Sequence, residues 1–386
     1  MERLYADHAA TTPLCDEARR AMEPWLIGGL GNPSSLHAEG RAAKGALDEA
    51  RAVLADALRC EFGEVVFTSG GTESANLAVV GAALANPDPR RTRILFSAAE
   101  HHAVLHTAPI LERLGYRVEW VQTDRWSRPD LNHLSDLLGD DVLVVSAMHA
   151  NNETGALTPD LSRLASLVAG AGALWHCDAV QTFGHLPLDE AIHADLISVS
   201  AHKLYGPKGA GALRIKAGTR VAPLIRGGGQ EREMRGGTEN VAGIVGFAAA
   251  LGAPRGGERG IADAFRREAA RAVPDLVWTL PDDVERLPGH AHFRIPGVSA
   301  ESLLIVLDRL GVSASAGAAC SSGAIEPSHV LLACGWSEEQ AGEGVRFSFG
   351  SSNSERDASE AASRLAEAVA TIRRARRSRS SAFPSD

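Results

Sequence analysis

Only four lysines occur among the 386 residues, against 35 arginines, so chemistry that needs an amine must use Lys44, Lys203, Lys208 or Lys216. Lys203 stands apart. His202 precedes it and Gly206, Gly209 and Gly211 follow it, which suggests a confined amine rather than a solvated one. Asp178 closes an apolar run, where a carboxylate is costly unless it is paired. The run SGGTES (69–74) offers small side chains, free backbone N–H groups and a helix start, a combination that cradles phosphate. A carboxylate for a pyridinium nitrogen, an amine for a Schiff base and a phosphate cup are the parts of a pyridoxal 5'-phosphate site. His101 fits as a ring lying over that cofactor. No GxxxxGK followed by Ser or Thr occurs, and no GxGxxG follows a strand, so nucleoside triphosphate and dinucleotide sites lose support.

These residues need a frame. Short apolar, β-branched runs predict strands at 65–68, 94–97, 118–121, 142–147, 173–177, 196–200 and 211–215. Segments with three- and four-residue apolar spacing lie between several of them, such as Leu161, Leu164, Leu167 and Val168. Strands alternating with helices predict an α/β domain with a mostly parallel sheet. Ligands of such sheets bind beyond the carboxyl ends of the strands. Five polar clusters follow strands directly: SGGTES, AAEHH (98–102), MHANNETG (148–155), Asp178 with Gln181, and AHKLYGPKG (201–209). Five clusters on one sheet edge imply one composite site.

From about 253 the texture changes. GAPRGGERG (252–260) reads as a turn into a charged helix at 261–273, followed by a strand at 292–295 and helices at 301–310 and 354–373. The expected organisation is a large domain over 13–252 and a smaller α+β domain over 253–373, joined by the segment 1–12. Residues 374–386 are rich in Arg and Ser with little to bury, so a flexible tail is expected.

Composition narrows the function classes. Apolar residues make up 45% and charged residues 23%, an ordinary globular balance. The net charge of −9 argues against nucleic acid or an anionic membrane as the main partner. Cys15, Cys60, Cys177, Cys320 and Cys334 are widely spaced, without CxxC or HExxH, so neither a disulfide framework nor a metal site is expected. The N-terminus lacks an apolar signal region, and a cytoplasmic protein with reduced thiols is expected. Cys320 has small neighbours, Ala316 to Ala319 before it and Ser321, Ser322 and Gly323 after it, which suits a mobile loop and a reactive thiol. The strand position of Cys177 suits packing instead.

Taken in order, the motifs resemble the cysteine desulfurases, in the class V branch of pyridoxal-phosphate enzymes with fold type I. They are YADHAATTP (5–13), GNPSS (31–35), VFTSGGTES (66–74), EHHAVL (100–105), MHANNETG (148–155), HCDAVQ (176–181), SAHKLYGPKG (200–209), RGGTEN (235–240), AGAACSSGAIEPSHVL (316–331) and RFSFG (346–350). The resemblance implies removal of sulfur from L-cysteine, giving L-alanine and a persulfide on Cys320. Lys203 would hold the cofactor, Asp178 its pyridine nitrogen and His101 its ring. Gln181 and Asn152 would reach the phenolic oxygen. Gly71, Thr72, Ser200 and His202 would form the phosphate cup. Thr238 would reach the phosphate of a neighbouring subunit, implying a homodimer. Arg346 would clamp the substrate carboxylate, with Asn32 and Asn152 assisting. The persulfide would pass to an acceptor protein, an iron–sulfur scaffold or a tRNA-thiolation relay. Selenocysteine lyase, another class V enzyme, or a non-catalytic partner that kept the fold are the competing readings.

Overall fold

A computed structural model describes residues 3–317 and 327–382. Its strands, in chain order, are β1 (Leu4–Tyr5), β2 (Val65–Thr68), β3 (Arg93–Ser97), β4 (Arg117–Val121), β5 (Val142–Ser146), β6 (Leu174–Asp178), β7 (Leu196–Ser200), β8 (Gly211–Ile215), β9 (Val277–Trp278), β10 (His290–Arg294), β11 (Val312–Ser313) and β12 (Gly344–Ser348). Seven of them form one sheet in the order β2-β8-β7-β6-β5-β3-β4. All neighbours in it run parallel except those of β8, which is antiparallel to both β2 and β7. Each predicted strand of this sheet is present, with ends moved by at most one residue.

The signal was strongest where both faces are covered, which makes β2, β5 and β7 nearly continuous apolar runs, while the edge strand β4 is mostly open to solvent. Side chains alternate between faces along a strand. Ile94 and Phe96 therefore pack with the helix Gly71–Ala85, through Ala75, Leu77 and Val79, on one side. Leu95, Trp175 and Ile197 face the other side, against Leu47 and Leu54 of the helix Ala38–Ala57 and Phe247 of the helix Val241–Leu251.

A separate apolar core forms over a three-stranded antiparallel sheet in the order β12-β10-β9. Phe265, Phe293 and Phe347 meet there, with rings 4.7 Å apart between Phe265 and Phe347. The N-terminal segment belongs to both halves. Its β1 pairs in parallel with β11, while Thr12 N donates to the carbonyl of His202 at 3.0 Å. One difference from composition lies at the far end. The last helix runs from Glu355 to Ala382, through the stretch expected as a tail. Arg and Ala are strong helix formers. Arg373 pairs with Asp275, and Arg376 donates to the Gly297 carbonyl, so this helix is tied to the segments beside β9 and β10.

The loop holding Thr238 is fixed from beneath. Arg51 and Glu231 form a buried bidentate pair at 2.6 and 2.8 Å, and Glu231 also accepts from Phe67 N. Arg235 reaches Glu73 at 3.0 Å, which joins the same loop to the first turn of Gly71–Ala85.

Candidate active site

Because β5, β6 and β7 run parallel, their carboxyl ends deliver Met148, Asp178 and Ser200 to one sheet edge. A cavity of about 380 Å³ opens there. Ten of the expected residues line it: Gly71, Thr72, His101, Asn152, Asp178, Gln181, Ser200, His202, Lys203 and Arg346. Asn32 and Thr238 do not line it; both are exposed on loops, and Asn32 Oδ1 accepts from Ser34 N at 2.9 Å. Cys320 lies outside the described residues.

Lys203 sits one short 3₁₀ turn past β7. Its Nζ donates to the carbonyls of Ala9 and Ala10 at 2.6 and 2.8 Å. Burial, and then the nearby Arg346, push its amine down to about 8. An amine so lowered is available as a base and nucleophile near neutral pH. Burial pushes the Asp178 carboxyl up to about 6, opposed by the hydrogen bond from Val180 N at 2.9 Å and by Lys203. It is still ionised at neutral pH, ready for a cationic ring nitrogen. His101 accepts from Ala103 N through Nδ1 at 3.0 Å, which leaves the ring proton on Nε2. Desolvation, and then Lys203, hold this imidazole down at about 4, so it is neutral.

The phosphate cup can be tested on its own atoms. The first turn of Gly71–Ala85 has no intrahelical acceptors for its leading N–H groups, and Ser74 is the first residue to bond back, to Gly70. Ser200 Oγ is buried without a partner among the described residues. A Cβ on Gly71 would lie 2.7 Å from Val180 Cγ2, so glycine leaves room at the cup floor. Asn152 Oδ1 and Arg346 Nε are likewise buried and unpartnered. These atoms fit a phosphorylated ring with a polar oxygen and a substrate carboxylate.

The cavity wall continues to the flanks of the segment that holds Cys320. Gly317 and His329 both line it. Glu153 links the flanks, since it accepts from Ser328 Oγ at 2.5 Å and lies where a Cβ on Gly317 (φ +88°) would clash at 2.8 Å. Among the described cysteines, burial raises the thiols of Cys60 to about 11 and Cys334 to about 12, and that of Cys177 well above its ordinary value. Such thiols are poor nucleophiles. Among the described residues no group of three or more His, Cys, Asp or Glu could hold a metal, and no helix is long and apolar enough to cross a membrane.

Asp7, which reaches this site through Arg346, had no role assigned from sequence. Asp7 Oδ1 accepts from Arg346 Nη2 at 2.8 Å. It belongs to YADHAATTP, but an ion pair across 339 positions leaves no local pattern.

The fold also makes a stability prediction. Burial lowers His8 and His149 to about 4, and His176, His290 and His292 to about 3. Their folded values lie below the unfolded one, so they stabilise above pH 6.5 and that contribution is lost as pH falls toward 4. Glu100, Glu153 and Asp178 are raised and oppose the trend, because the fold holds their protons. His101 and His202, also held at about 4, act with the five histidines, so the lowered imidazoles outnumber the raised carboxyls. The melting temperature of the cofactor-free protein is expected to drop between pH 6.5 and 4.5. A flat profile over that interval contradicts the buried neutral histidines.

Comparison with known proteins agrees with this geometry. Residues 4–360 match the family model described as Aminotransferase class-V. A cysteine desulfurase IscS of Dictyoglomus turgidum is 43% identical over 355 residues, covering 90% of this chain and 89% of that protein. The cysteine desulfurase IscS of Methanosarcina thermophila is 38% identical, covering 96% and 93%. Among solved structures, a NifS-like protein superposes with a TM-score of 0.86 at 31% identity, covering 96% of this chain and all of that one. SspA in complex with cysteine gives 0.77 at 29% identity, covering 90% and 98%.

Proposed function

The chain belongs to the cysteine desulfurases of the class-V aminotransferase family, and from that membership we propose how its own residues divide the work. The substrate is L-cysteine and the products are L-alanine and a persulfide on Cys320. The observation that carries this reading is the gathering of nine other expected residues around Lys203 in one cavity.

Lys203 would hold pyridoxal 5'-phosphate covalently, with Asp178 at the ring nitrogen and His101 over the ring. Gln181 and Asn152 would serve the phenolic oxygen. Gly71, Thr72, Ser200 and His202 would hold the phosphate, helped by the positive end of Gly71–Ala85. When bound, the cofactor supplies an aldehyde for amine capture and an electron sink. The chain does the rest. Arg346 holds the substrate carboxylate, with Nε as the open donor. Lys203 Nζ, lowered to about 8, takes the Cα proton. His101 carries a proton on Nε2 for delivery at the substrate. The Cys320 thiolate attacks the substrate sulfur; an S–S bond forms, the C–S bond breaks, and the carbon keeps the electron pair and takes a proton.

Thr238, away from this cavity, would reach the neighbouring subunit's phosphate in a homodimer, and Asn32, also away from it, would assist Arg346 at the substrate carboxylate. The acceptor is a partner protein of iron–sulfur assembly or tRNA thiolation, and the setting is the cytoplasm. The test is the product balance. With L-cysteine and a thiol reductant, alanine and sulfide are expected in equal amounts. Release of a keto acid in place of alanine overturns the assignment.

A further inference from the structure

We propose that Asp7 is a positioning residue that fixes the Arg346 guanidinium for a substrate α-carboxylate and ties it to Lys203. The inference rests on the reading that Arg346 receives that carboxylate.

Arg346 lies on β12 with its side chain only 3% exposed. Two of its nitrogens are already held. Nη2 donates to Asp7 Oδ1 at 2.8 Å, and Nη1 donates to the Asn152 carbonyl at 2.7 Å. Nε is buried without a partner among the described residues. A guanidinium is a rigid planar fork of five donors. Two anchors at its tip therefore set the plane and leave Nε–H, with the remaining tip hydrogens, for an incoming carboxylate. Asn152 contributes a neutral carbonyl. Among the described residues Asp7 is the one carboxylate in ion-pair contact with this cation, and a buried cation without such a partner is strongly disfavoured.

The same residue shapes the support of Lys203. The Asp7 carbonyl accepts from Ala10 N at 3.0 Å and from the Tyr5 hydroxyl at 3.0 Å. The turn so formed presents the two carbonyls of Ala9 and Ala10 that accept from Lys203 Nζ. Asp7 also bridges to Ser348, two residues beyond Arg346 on β12. One short segment thus sets both site cations, through a side chain on one and a backbone turn on the other. Charge links the two cations as well: Arg346 lowers the Lys203 amine and Asp7 opposes it.

The experiment compares holoenzyme variants by steady-state kinetics with L-cysteine and by calorimetric titration with two probes. L-Alanine carries the carboxylate and cysteamine lacks it. Asp7→Ala is expected to raise KM for L-cysteine and Kd for L-alanine by about ten- to a hundredfold, with a much smaller change in kcat. Cysteamine binding should be unchanged. Asp7→Asn, which keeps the acceptor oxygen but not the charge, should recover part of the loss. Unchanged L-alanine binding in Asp7→Ala, or an equal loss for both probes, overturns the inference. Should the alanine variant fail to fold, Asp7→Glu moves the acceptor by one methylene and should raise Kd for L-alanine at least roughly fivefold; wild-type binding by that variant overturns the inference. Arg346→Ala separates the two levels. If it weakens L-alanine and Asp7→Ala does not, the positioning role alone falls. If it leaves L-alanine binding intact, the carboxylate reading falls and the inference with it.

Discussion

Lys203→Ala is expected to yield a folded protein that no longer retains pyridoxal phosphate through gel filtration and that loses at least roughly a thousandfold in alanine production. Two functions disappear together. The covalent tether goes, and so does the base at the substrate Cα. The other three lysines cannot substitute, because Lys44, Lys208 and Lys216 do not line the cavity. The carbonyls of Ala9 and Ala10, which accept from Nζ at 2.6 and 2.8 Å, would be left to water in the variant. Water can satisfy them, so the fold should survive. Absorbance in the visible region and alanine release together check the result. Tight, coloured cofactor in this variant would place the tether elsewhere.

Cys320→Ser should separate cofactor from sulfur chemistry. The phosphate cup, Asp178 and Lys203 are all held by the sheet edge and do not depend on residue 320. Cofactor binding and colour should stay at the wild-type level. Alanine production should fall at least roughly a hundredfold, because a serine hydroxyl is far less nucleophilic than a thiolate near neutral pH. Both flanks of its segment are pinned near the cavity, Gly317 and Ser328 meeting at Glu153. Normal alanine output from this variant would remove Cys320 from the reaction.

How much of this was readable in the sequence follows from what each element buries. The large sheet was legible strand by strand, most strongly where both of its faces are covered. Val142–Ser146, for instance, is buried at every position. The site was legible for the same reason. In parallel strands each carboxyl end falls on one edge, so SGGTES, MHANNETG and AHKLYGPKG had to converge once the strands were placed. Roles for individual residues came from resemblance, and the cavity brings ten of those residues together.

Other features were not legible. β1, β9 and β11 have two residues each, too short for any periodicity to show. The final helix looked like a tail because Arg and Ser seemed to have nothing to bury, while its anchors, Asp275 and the Gly297 carbonyl, are far away in sequence. The Arg51–Glu231 and Asp7–Arg346 pairs are long-range ion pairs, and a single carboxylate in a loop gives no sign of its partner.

The central claim is that sulfur leaves the substrate by way of one thiol beside one lysine-held cofactor. Mass spectrometry of the intact holoenzyme and its peptides, after brief exposure to L-cysteine without reductant, tests it most directly. The expected result is a gain of one sulfur atom on the peptide containing Cys320, matched by one alanine released per chain. A sulfur adduct on Cys15, Cys60, Cys177 or Cys334 instead, or alanine release with Cys320 unmodified, would contradict it.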